Sequence, residues 1–145
     1  MDAAEQAKEL MINNKYLTLS TSEGNVPWIS PLYYVIDDKW NLYFVSPLES
    51  RHAQHISKNP YVAFAIFDST QEPGDGIGVQ ASARASIVES TNYPQIVQDY
   101  LKELEEFNIA IREYRVFRLE ITRIFITDQE AWEKNGIDRR LEVRL

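Results

Sequence analysis

Asn41-Leu42-Tyr43-Phe44-Val45-Ser46-Pro47-Leu48-Glu49-Ser50-Arg51-His52 decides the reading of this chain, because it runs as a β-strand straight into a short helix. Leu42 to Ser46 is aromatic and β-branched enough for a half-buried strand, and Ser50 is a good helix cap. The first turn of a helix carries free N–H groups and the positive end of the dipole, so cations there are unfavourable unless an anion joins them. Ser50, Arg51 and His52 thus form half of an anion site, with a phosphate as the fitting guest. The same residues admit a plainer reading, in which Ser50 only caps the helix and the Arg51 stem covers apolar surface.

Working outward, Asp2 to Asn13 reads as a capped helix with Ala7, Leu10 and Met11 at helical spacing. Tyr16 to Ser20 and Val26 to Ile36 are extended runs on either side of the turn Thr21-Ser22-Glu23-Gly24-Asn25, and so make a hairpin. Pro31 within the second run places it at an edge or a bulge. The helix from Ser50 to Lys58 stops at Asn59-Pro60. Tyr61 to Phe67 is apolar on both faces, which predicts a central strand. A loop from Asp68 to Gly78 leads to a strand over Val79 to Val88, where Gln80, Ser82 and Arg84 alternate with small or apolar residues. Asn92 to Phe107 is an amphipathic helix, and Tyr114 to Thr127 is the last long strand. The tail from Asp128 to Leu145 shows no clear period. Six strands with hairpin connections and peripheral helices predict a mainly β fold, a small antiparallel barrel.

At 145 residues, 44% hydrophobic and 26% charged, residues 1–145 are expected to form a single domain around one core. A net charge of −7 argues against broad binding to nucleic acid, and the two histidines leave few ligands for a metal, so none is expected. His52 and His55 are expected at least partly at the surface. No apolar run is long enough for a membrane span, the amino end lacks a signal pattern and cysteine is absent; a cytoplasmic protein is expected.

Four blocks in order, Trp28-Ile29-Ser30-Pro31-Leu32-Tyr33-Tyr34, Asn41 to Ser46, Ser50-Arg51-His52-Ala53 and Asn59-Pro60-Tyr61-Val62-Ala63, resemble the pyridoxamine 5'-phosphate oxidase-like family of FMN-binding split barrels. The resemblance runs from Tyr16 to about Val88. It implies a six-stranded antiparallel split β-barrel with flanking helices, and a homodimer with FMN at the subunit interface. On it, Ser46, Ser50, Arg51 and His52 look like phosphate contacts, Ser30, Pro31, Leu32 and Val45 like walls beside the flavin, and Gln80 like a polar contact to the cofactor.

Departures from the family's oxidase narrow what is implied. His52 stands where the oxidase has lysine, no lysine occurs around Tyr34-Val35, and Arg139-Arg140-Leu141-Glu142-Val143 lacks the oxidase's closing proline. The expectation is an FMN-dependent oxidoreductase acting between a small donor and acceptor, not a true pyridoxamine-phosphate oxidase. The alternative is a non-catalytic flavin- or haem-binding module with a sensing or interaction role. No acid–base pair or nucleophile constellation is visible, as expected where the flavin carries the chemistry. Trp132, Arg139 and Arg140 are candidates to reach a partner's flavin.

Overall fold

The computed structural model describes residues 1–107 and 113–145. Asp2 opens α1 (Ala3–Asn13) with a capping box, in which the Asp2 carboxylate accepts from the Glu5 N–H and the Glu5 carboxylate accepts from the Asp2 N–H. Ala7 and Met11, a turn apart, are buried and join the core. β1 (Tyr16–Glu23) and β2 (Val26–Tyr33) form the expected hairpin around Gly24, whose φ of 59° a side chain would disfavour.

The remaining elements are β3 (Val35–Ile36), β4 (Leu42–Pro47), α2 (Arg51–Lys58), β5 (Tyr61–Phe67), β6 (Gly78–Val88), α3 (Gln95–Glu106), β7 (Tyr114–Thr127), α4 (Gln129–Asn135) and β8 (Arg140–Val143). All eight strands belong to one sheet, ordered β2-β1-β5-β6-β7-β4-β3 with β8 added on β7. Only Tyr34 separates β2 from β3, so one stretch of chain pairs with β1 at one end and β4 at the other. That stretch closes the antiparallel split barrel.

The tail, which shows no clear period in sequence, forms α4 and β8. Asp128 caps α4 by accepting from the Ala131 N–H at 3.0 Å, and Gly136 closes it with φ 63°. Seven residues are too few to reveal a helical period, and β8 is set by pairing with the end of β7, beyond the reach of β4. β5 is central, between β1 and β6, as its apolar sequence predicts, with one face toward the core and the other toward solvent. Val62, Phe64 and Ile66 face the core, while Tyr61 and Phe67 are more than half exposed.

The barrel interior holds the main core, with Phe44 and Phe117 stacked at 5.1 Å between ring centres. A second cluster lies outside the barrel, where Val97 on α3 packs against Tyr43 and Val116. There the Tyr100 hydroxyl donates to the Tyr33 carbonyl at 2.8 Å. The outer face of β2, β1 and β5 instead presents Tyr16, Ile29, Tyr61 and Phe67 to solvent. Among the described residues, no helix is long and apolar enough to cross a membrane.

Candidate cofactor site

β4 carries Phe44 and Ser46 on one face, two residues apart, and both are buried. Pro47 takes the chain out of the sheet, and its carbonyl accepts from both the Ser50 N–H at 3.1 Å and the Ser50 hydroxyl at 2.8 Å. This tight turn leads into α2, which packs against β1 and β2. Ser50 then caps the helix by accepting from the Ala53 N–H at 3.3 Å.

The His52 ring closes back over the strand end. Its Nε2 lies 2.6 Å from Ser46 Oγ and 3.3 Å from Ser50 Oγ, and its ring meets Phe44 edge-on at 6.1 Å. Burial, followed by the charge of nearby His55, holds His52 below the usual histidine pKa. The Arg51 guanidinium lies 4.1 Å from the centre of the Trp28 ring. Among the described residues Arg51 makes no hydrogen bond or ion pair with its side chain, and the N–H groups of Arg51 and His52 are also unpaired. The helix start therefore offers two free amides and a guanidinium without a hydrogen-bond partner, beside an imidazole whose Nε2 is held by two serines, and has no acidic residue in the first turn. Such a donor set fits a phosphate.

His55, expected at least partly at the surface, is instead 4% exposed. Its Nδ1 is 3.0 Å from Thr21 Oγ1 and its Nε2 is 3.9 Å from Glu23, so it anchors the helix to β1. The Glu23 carboxyl sits below its usual pKa, first because of its hydrogen bond with Lys58.

The other expected site residues divide by the two-residue period of a strand. Ser30 is buried, while Pro31, its neighbour, points outward opposite Thr18. Leu32 turns back onto the main core, and Val45 packs with the cluster beneath α3. Gln80 lies on the outer face between Ala65 and Phe125, where its carboxamide oxygen accepts from Arg140 Nε at 3.0 Å. It stands far from the helix start, since Ser46 pairs with Arg115 near the beginning of β7 and Gln80 with Phe125 near its end. Two adjoining cavities of about 290 and 320 Å³ lie at the Gln80 end and share Gly76, Thr127 and Arg140. Trp132 lines the first and Gln80 the second. Arg139 is bound to Asp128 at 2.6 Å rather than reaching outward.

In the sequence Trp28 is marked only by its alternation with Ser30 along β2, which sets both toward the same side of the strand.

Residues 3–128 match the family model described as pyridoxamine 5'-phosphate oxidase. A UPF0306 protein of Pasteurella multocida is 32% identical over 119 residues, which is 81% of this chain and 78% of the relative. Among solved structures, a FAD-binding protein from Mesorhizobium loti superposes with a TM-score of 0.72 at 17% identity, over 86% of this chain and 92% of the other. HutZ, the haem storage protein of Vibrio cholerae, superposes with a TM-score of 0.68 at 20% identity, over 87% and 95% of the two chains. These structural likenesses show a shared fold. The ligands named are those of the other proteins.

Proposed function

Because the chain belongs to the pyridoxamine 5'-phosphate oxidase family of split barrels, we propose that it is an FMN-binding flavoprotein that moves hydride or electrons between a small donor and a small acceptor. The observation that carries this reading is the anion seat at the start of α2, where the Arg51 guanidinium and the free amides of Arg51 and His52 converge beside the Ser46–His52–Ser50 cluster. Ser46 orients His52 from below. Bound flavin would supply the two-electron chemistry, and the protein's part is to hold and orient it. Ser30, Pro31 and Gln80 give polar and backbone contacts along the ring system. Leu32 and Val45 contribute through their backbone, because their side chains are packed away.

One protomer keeps its phosphate seat and its Gln80–Arg140 cleft at opposite ends of the barrel. A homodimer through the exposed face of Tyr16, Ile29, Tyr61 and Phe67 reunites them. A two-fold axis lying in that interface and crossing the strands sets one protomer's cleft over the other's helix start. The flavin then lies between the subunits.

A haem module is less well supported, because His52 Nε2 is engaged by serines and His55 is buried on Thr21. Titrating the purified protein with FMN and with riboflavin, followed by optical spectroscopy, tests the proposal. A flavin spectrum with tighter binding of FMN than of riboflavin is expected. Protein that binds neither sinks it. Reduction of the bound flavin by a nicotinamide donor and reoxidation by a small acceptor distinguish turnover from mere binding.

A further inference from the structure

We infer that Trp28 is a positioning residue that pre-orients Arg51 for the phosphate, an inference that rests on the flavin reading above. Arg51 is exposed, and an exposed arginine with no partner samples many rotamers. Here the guanidinium carbon lies 4.1 Å from the centre of the Trp28 ring, and among the described residues that side chain makes no hydrogen bond or ion pair, the Glu23 carboxylate acting on it only through its charge. The aromatic face is therefore what fixes it. A cation over an aromatic face uses no hydrogen bond, so the N–H groups of Arg51 remain free to fork onto phosphate oxygens. An ion pair would have fixed Arg51 equally well but used up those groups.

The surrounding register shows how Trp28 itself is placed. It stands opposite Thr21 in the β1–β2 ladder, and Thr21 holds His55 one turn further along α2. One strand pair thus fixes the helix at two points, through His55 at its rear and Arg51 at its front. The tryptophan sets the direction of the cation without touching the ligand.

The test compares FMN and riboflavin, which differ by the phosphate, in titrations of the native protein, Trp28→Leu, Trp28→Phe, Arg51→Ala and the double variant Trp28→Leu/Arg51→Ala. Trp28→Leu should weaken FMN binding about three- to tenfold and leave riboflavin binding unchanged. Trp28→Phe should recover most of the loss, and Trp28→Leu should add nothing once Arg51 is alanine. In the protein without flavin, the Arg51 Nε–H resonance should lose its ring-current shift in Trp28→Leu. Unchanged FMN affinity in Trp28→Leu alongside a loss in Arg51→Ala overturns the role of Trp28 alone. So does an equal loss of riboflavin binding, or a loss that persists in the double variant. Native protein that binds FMN no better than riboflavin overturns the phosphate seat and, with it, this inference.

Discussion

A guanidinium without a hydrogen-bond partner at the positive end of a helix is unfavourable until an anion arrives, and this defines what each residue of the seat contributes. Arg51→Ala should weaken FMN binding by about 1–3 kcal/mol through loss of a charge-assisted contact, as isothermal titration would show. Stability should change little, because the side chain is exposed. His52 behaves differently. Its folded-state pKa is lowered, so below the ordinary value of about 6.5 the unfolded chain binds more protons than the native one. The stability this contributes is complete above that value and is lost as pH falls through the folded one. Urea unfolding of the protein without flavin should therefore show a smaller stability difference between native and His52→Asn at pH 5 than at pH 7.5. A constant difference would mean that His52 is not held neutral.

Among the elements, the turn between β3 and β4 shows how a short connection closes the barrel. The Asp37 carboxylate accepts from the Lys39 N–H at 2.9 Å, the Asn41 N–H at 2.8 Å, the Asn41 side chain at 3.1 Å and the Tyr43 hydroxyl at 3.1 Å. This network holds Trp40 at a φ of 68°, where non-glycine residues are uncommon. Asp37→Ala leaves those donors without their acceptor and should cost about 1–3 kcal/mol in urea or thermal unfolding. Element boundaries of this kind were legible because local chemistry sets them: Asp2 caps α1, Ser50 caps α2, Asn59-Pro60 ends it, and β5 and β7 span the expected residues. β8 was not legible, since four residues pair there only because β7 outruns β4. The break at Tyr34 was hidden for a similar reason. Its N–H donates to the Lys15 carbonyl and its hydroxyl to the Met11 carbonyl, both outside the strand itself.

Across the whole molecule, local sequence reveals the cluster at the helix start but not where Gln80 lies relative to it. Ser46, Ser50 and His52 are close in sequence and close in space, whereas Gln80 meets Arg140 across sixty positions and at the far end of the barrel. The exposed sheet face decides whether those ends can join. A stable interface takes about 800 Å² from each partner, roughly a tenth of a surface of 9212 Å². Among the described residues, Tyr16, Ile29, Tyr61 and Phe67 concentrate apolar area on the outer face of β2, β1 and β5. A carboxylate in that face would be desolvated by a second copy but would remain hydrated in a lone protomer. Ile29→Glu with Tyr61→Glu should thus turn a dimer into a monomer in sedimentation velocity while protomer stability changes only modestly. If the site is shared, FMN affinity falls in the same variant, whereas Arg51→Ala lowers affinity and leaves the dimer intact. A native monomer, or a monomeric variant that binds FMN as tightly as the native protein, would show that each barrel holds its flavin alone.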